Sequence, residues 1–302
     1  MASGIPPSPH TQATYNRSIA QIRKAIAPAT QATDFSFLSN HQAITAWIDG
    51  SDYATNTKKT FYISLVSKLK SLCLVGDDGL AEASGIYRAK MDALNSSIRE
   101  NAEAQELSET EKAKYLPWPQ VLECLEKVRL AVSDVWTFQH YLICALYCLT
   151  PPVRLDYAGM KVVSGAEYAS AGRPPEDTSC NYLVLSDKPY FIFNKYKTEK
   201  RYGPQVVPLP PALCDVIYEW RKMVDDTYLL INQNGEPMPE WQLGQTITEV
   251  FKKHSGKAVG ANVLRHSYIT HQRQGEPTFK STQALAQSMM HSPEMSQLYR
   301  KL

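Results

Sequence analysis

The chain has 302 residues, enough for two domains that each bury a core, and balances 32 Lys and Arg against 30 Asp and Glu. A net charge of +2 excludes a protein that coats polyanions through overall charge, and leaves local basic faces as the route to a polyanionic partner. No apolar run approaches the length of a membrane span, and the opening MASGIPPSPHTQ lacks the basic and apolar regions of a secretory leader. A soluble intracellular protein, in nucleus or cytoplasm wherever its target lies, is the expectation.

Residues 1–14, rich in Pro, Ser, Thr and Gln, read as a flexible tail. From Tyr15 the apolar spacing turns helical: YNRSIAQIRKAIAP places Ile19, Ile22 and Ile26 on one face and stops at Pro28. Further helices are predicted for SNHQAITAWIDG, capped by Ser39 or Asn40, for TNTKKTFYISLVSKLKSLCL, and for roughly 79–104. These four make a helical domain over 15–116. The charged stretch QELSETEKAKYLPWPQ, broken by Pro117 and Pro119, marks the boundary with a second domain over 117–302.

That second domain opens with two helices, WPQVLECLEKVRLAV and DVWTFQHYLICALYCLT, the latter ended by Pro151-Pro152 just before Arg154. The period then shortens. NYLVLS, YFIFNKY and QVVPLP are β-branched and aromatic runs that predict a small antiparallel sheet, with KTEKRYGPQ as a basic hairpin tip. Four helices follow, in PALCDVIYEWRKMV, QLGQTITEVFKKHSG, NVLRHSYITHQRQ and STQALAQSMM. The six cysteines, Cys73, Cys124, Cys144, Cys148, Cys180 and Cys214, form no CxxC pair and sit mostly in apolar runs, which favours reduced thiols over a disulfide framework. Cys144 and Cys148 share a helix face, but with no His or Cys pair at zinc-like spacing they read as buried thiols. No metal and no other cofactor is expected.

Five residues at element ends carry chemistry as a set: Arg154, Lys197, Arg265, His291 and Tyr299. Singly, each has a plainer reading. Arg154 can satisfy helix carbonyls, Lys197 can be one of several solvated lysines, and Tyr299 can be a packing tyrosine. Arg265, flanked by Val263, Leu264, Tyr268 and Ile269, must be at least partly buried and needs partners. Together, two guanidinium forks suit the non-bridging oxygens of a phosphodiester, and a lysine suits protonation of a departing alkoxide. A phenol near such a positive cluster suits nucleophilic attack.

In this order, with LRHS after the KT…VPL run and a His-to-Tyr interval before the end, the chain resembles the tyrosine recombinase (phage integrase) family across 117–302. The helical first domain is similar to that family's core-binding domain in size and pattern. The resemblance implies a mainly α fold with a small antiparallel β-sheet, built from an all-helical N-terminal core-binding domain and a mixed α+β catalytic domain. It implies a site-specific recombinase or integrase that cleaves and rejoins double-stranded DNA through a 3′-phosphotyrosyl intermediate, without metal or ATP, and acts as a homo-tetramer on DNA. Arg154 and Arg265 would bind the scissile phosphate and Lys197 would be the general acid. His291 would hydrogen-bond the phosphate and Tyr299 would attack it. Asn262 stands where the family usually has His, and the resemblance implies that it would support the site with His266. Asp156 lies two residues after the first arginine, and Tyr157 takes the place usually acidic. Only Arg300, Lys301 and Leu302 follow Tyr299, where many members carry a further helix. The PPVRLDY form and Asn262 resemble integrases of large DNA viruses and eukaryotic mobile elements.

Candidate backbone-gripping residues are Arg17, Arg23, Lys24, Lys58, Lys59, Lys68 and Lys70 in the first domain and Lys200 and Arg201 beside Lys197; a solvated helix face is the competing reading for each. Two other functions remain open on sequence. One is a type IB topoisomerase-like relaxing enzyme, and the other is a non-catalytic DNA-binding protein derived from a recombinase.

Overall fold

A computed structural model describes residues 7–72, 78–103, 107, 109–166, 178–273, 279–290, 292 and 295. The chain divides into two compact units, Met1–Ala104 and Gln105–Leu302.

The regular elements among the first unit's described residues are all helical: α1 (Pro9–Ile26), a 3₁₀ turn (Ser36–Ser39), α2 (His41–Asp49), α3 (Thr55–Ser71) and α4 (Asp78–Glu103). Helix α1 begins inside the stretch expected to be a flexible tail. Pro9 brings a preset φ to the first turn, and the Ser8 side chain caps it by accepting from the Thr11 N–H. Asn40 caps α2 through the Ala43 N–H. Ile19, Ile22, Leu38, Ile44, Ile48, Phe61, Tyr62, Leu65, Leu69 and Tyr87 form the core. Asp49 is a polar hub beside it. Its carboxylate accepts from the Tyr62 hydroxyl at 2.7 Å and pairs with Lys90 at 2.6 Å, while its carbonyl accepts from Lys58 at 2.8 Å.

The second unit holds α5 (Glu109–Lys112), α6 (Trp118–Leu130), α7 (Val135–Cys148), a sheet, and then α9 (Pro211–Met223), α10 (Glu240–Ser255), α11 (Ala261–Gln272) and α12 (Phe279–Ser288). A one-turn α8 (Glu199–Tyr202) interrupts the sheet. An Asp134–Thr137 capping box starts α7, whose last two turns are almost wholly buried. The sheet has strand order β1 (Lys161–Ser164), β2 (Tyr182–Leu185), β3 (Tyr190–Phe193), β4 (Gln205–Pro208). The three runs predicted as strands pair antiparallel in sequence order. The prediction missed β1, which adds to β2 in parallel and makes the sheet mixed, with Lys161 opposite Tyr182.

One core joins α6, α7, α9, α10 and α11 to the inner face of the sheet through Leu142, Leu146, Tyr157, Phe191, Phe193, Trp220, Leu243, Phe251 and Leu264. Two buried polar side chains tie its loops down. Gln139 exchanges both of its hydrogen-bonding functions with the Ile231 backbone, and the Trp220 indole donates to the Leu229 carbonyl. Cys124, Cys144 and Cys148 are buried free thiols, with burial pushing the Cys124 thiol up to about 11. Cys73 lies outside the described residues. Among the described residues no helix is long and apolar enough to cross a membrane.

Candidate active site

The site grows from the loop that follows α7. Pro151 and Pro152 end that helix, and three hydroxyls then fold the chain back on it. Thr150 donates to the Leu146 carbonyl at 2.6 Å, the Tyr157 hydroxyl reaches the same carbonyl at 3.3 Å, and the Tyr147 hydroxyl donates to the carbonyl of Arg154. Arg154 is thus held by its backbone, and the residue is half-buried. Its N–H donates to Asp156 Oδ2 at 3.1 Å.

Arg265 enters from the other side. It lies on the inner face of α11 and, at 0% exposure, is the most completely buried charge described in the second unit. Its Nη1 donates to the Pro152 carbonyl at 3.1 Å, two residues from Arg154. The helix itself is stapled in place: Ser267 Oγ donates to the Leu116 carbonyl at 2.6 Å, and the Tyr268 ring meets Trp118 edge-on at 4.8 Å. Asp156 senses both arginines. Burial pushes its carboxyl above the usual range, and Arg154 and Arg265 pull it back without overcoming that burial. The carboxylate therefore sits two places after Arg154, while Tyr157, at the position usually acidic in the resembled family, is a buried packing residue.

Lys197 arrives on a third segment, the turn between β3 and α8. KTEKRYGPQ is the tip of the β3–β4 hairpin, as expected, and it is folded around a one-turn helix. Glu199 accepts from Lys195 Nζ at 3.2 Å and from the Tyr196 N–H at 3.3 Å, and the Tyr196 hydroxyl donates to the Gly203 carbonyl at 2.6 Å. Gly203 closes the turn at φ +65°, a conformation open to glycine at little expense. Lys195 is thereby engaged, whereas Lys197 is exposed and makes no ion pair among the described residues.

Two side chains link this turn to the rest of the site. The buried Asn181, just before β2, donates from Nδ2 to the Asp156 carbonyl at 2.8 Å and to the Lys195 carbonyl at 2.9 Å; its Oδ1 accepts from the Lys195 N–H at 2.7 Å. Thr198 Oγ1 donates to the Met290 carbonyl at 2.8 Å. Met290 is a non-glycine residue at φ +54°, a strained conformation, and it immediately precedes His291.

The structure therefore brings together Arg154, Arg265 and the turn that carries Lys197. His291 and Tyr299 lie outside the described residues. Asn262 is exposed in the first turn of α11, and His266 is half-buried one residue after Arg265. Lys200 and Arg201 are exposed on α8, with Arg201 over the Tyr202 ring. Sequence reasoning missed Asn181, Tyr147 and the part played by Asp156. The one available signal was an Asn directly abutting an apolar strand, which reads first as a turn residue.

The seven basic candidates of the first unit divide in two. Arg17, Lys24 and Lys70 are exposed and Lys59 is half-buried. Lys58 is bonded to the Asp49 carbonyl, and Arg23 and Lys68 face the Phe35 ring at 5.0 and 3.8 Å, with Arg23 also donating to the Asp34 carbonyl. Those last three are tied into their own unit. Among the described residues no group of three or more His, Cys, Asp or Glu is placed to hold a metal ion.

No family model and no curated protein matches the chain. Three solved structures are similar to it over most of its length. A XerA recombinase aligns over 98% of this chain and 88% of its own at 13% identity, with a TM-score of 0.43. A lambda integrase tetramer bound to a Holliday junction aligns over 99% and 82% at 14% identity and a TM-score of 0.42. A lambda integrase (75–356) dimer bound to a COC′ core site aligns over 94% of both chains at 12% identity and a TM-score of 0.41. Likenesses this distant carry no part of the functional argument, which stands on this chain's own residues.

Proposed function

We propose that the protein is a DNA strand-cleaving and rejoining enzyme of the tyrosine recombinase kind, with Tyr299 as nucleophile. The observation that carries this reading is the meeting of three segments distant in sequence. Arg265 bonds to the Pro152 carbonyl beside Arg154, and Asn181 joins the Arg154–Asp156 loop to the Lys195–Thr198 turn. A phosphodiester between them would find two guanidinium groups for its non-bridging oxygens and an ammonium for its leaving group.

In this mechanism Tyr299 Oη attacks the scissile phosphorus while the P–O5′ bond breaks. The bond's electron pair stays on O5′, which takes a proton from Lys197 Nζ, and the phenolic proton leaves to solvent. Arg154 and Arg265 hold the charge that builds on the two non-bridging oxygens. Asp156 accepts from the Arg154 N–H and so helps to hold the backbone beneath that arginine, and His291, following the strained Met290, adds a hydrogen bond to the phosphate. The product is a 3′-phosphotyrosyl link with a free 5′-hydroxyl. Attack by a second 5′-hydroxyl reverses the step, so strands exchange without ATP. Exchange between two duplexes requires four cleaving subunits, which makes a homo-tetramer on double-stranded DNA the working assembly. Integration or excision of a mobile or viral element in nucleus or cytoplasm is the setting that fits.

The test is a covalent trap. Wild type and Tyr299→Phe are incubated with a duplex pool of random core sequence and quenched with SDS. Protein attached to DNA 3′ ends with wild type alone is the expected result. Binding without any adduct would leave only the non-catalytic reading.

A further inference from the structure

We infer that Asn181 is a positioning residue that sets the reach of the Lys197 ammonium to the leaving oxygen by tying its turn to the Arg154 loop. The inference rests on the cleavage reading above and deepens it. Lys197 is exposed and, among the described residues, has no side-chain bond to fix it. A lysine stem is long and flexible, so any precision in delivering its proton must come from the backbone beneath it. That backbone is held at both ends. On one side Asn181 takes the Lys195 N–H and gives both of its own amide hydrogens to carbonyls, those of Lys195 and Asp156. On the other, Thr198 holds the Met290 carbonyl. The amide thus has both donors and one acceptor position filled by backbone, on a buried residue whose three bonds are partly shielded from water. Asp156 in turn accepts from the Arg154 N–H, so one side chain fixes the separation between the Arg154 loop and the turn that carries the proton donor.

A residue that only stabilised the sheet would slow every form of the reaction alike. One that positions the acid slows only the form that needs the acid. The two are separated by replacing the bridging O5′ with sulfur. A thiolate, whose conjugate acid has a pKa of about 8.5, leaves without being protonated, unlike an alkoxide. The substrate is a duplex selected from the random pool by the wild-type protein and synthesised with oxygen or sulfur at the step found in its adduct. Asn181→Ala removes all three bonds; Asn181→Asp keeps the acceptor and loses both donors.

With oxygen, both variants are expected to form adduct about 10²-fold more slowly than wild type, the scale of a misplacement near 1 Å. With sulfur, they are expected to approach the wild-type rate. Equal losses on both substrates, no loss on oxygen, or variants that no longer bind the duplex would overturn the inference. Lys197→Met is the control. If sulfur rescues it but not the Asn181 variants, the positioning role alone is wrong. If sulfur rescues neither, or wild type forms no adduct, the reading of the site on which the role depends has failed.

Discussion

The arginine floor and the lysine turn of the second unit solve opposite problems with the same kind of bond. Arg265 is wholly buried on a helix stapled to Leu116 and Trp118, and its guanidinium is fixed against a carbonyl before any ligand arrives. Lys197 is exposed on a turn, and only the backbone beneath it is fixed, by Asn181 and Thr198. The contrast matches the two tasks proposed for these residues. Charge stabilisation gains from donors that need no reorganisation, whereas a proton donor must move with the departing oxygen and be recharged from solvent.

Removing the floor should do the broadest damage, to stability and cleavage together, because it is structure as well as chemistry. Arg265→Ala is expected to lower the thermal midpoint of the second unit and to reduce adduct formation about 10²–10³-fold or more, read by melting and by the SDS trap. A variant with normal stability and normal cleavage would break the comparison at its first term.

The turn should fail differently. Lys197→Met is expected to cost about 10²–10⁴-fold in cleavage with no change in the thermal midpoint, since the side chain is exposed. Loss of stability in step with activity would make Lys197 a structural lysine.

Asp156 sharpens the boundary between stability and function. Its folded pKa is raised, so its contribution is favourable below the unfolded value near pH 4 and is lost as pH rises through the folded value. Asp156→Asn should therefore raise the thermal midpoint at pH 7 and leave it unchanged near pH 3. A fall in stability at pH 7 would mean that the arginine pairs outweigh the burial.

The smallest expected effects lie in the first unit, where exposed and tied cations can be told apart. Lys70→Ala should reduce the salt slope of DNA binding by about 1 and leave stability alone. Lys58→Ala should leave the slope and lower stability by about 1 kcal/mol, since it removes a bond to Asp49. The opposite pattern would reverse the assignment of the two lysines.

What the sequence revealed follows from the range of the forces involved. The helices were legible because a face of Ile19, Ile22 and Ile26, or the apolar run of α7, is a local pattern, and the cap at Asn40 is local too. β1 was not, since KVVS offers two valines and its pairing with β2 is parallel and non-local. The start of α1 was placed too late because composition outweighed the Ser8 cap. At the site, Arg154, Lys197 and Arg265 stood out only as an ordered set. Asn181 did not, because its three partners are 14 or 25 residues away along the chain and exist only once the sheet has formed. Asp156 was visible as a displaced acid, but its closeness to Arg265 required the fold.

The most direct test of the account is the identity of the residue that carries the DNA. Adduct from wild type, digested with nuclease and protease, should yield one modified peptide in the mass spectrum, with a nucleotide phosphate on Tyr299. Tyr299→Phe should yield none. A nucleotide on any other residue, or an adduct that survives Tyr299→Phe, would contradict the site described here.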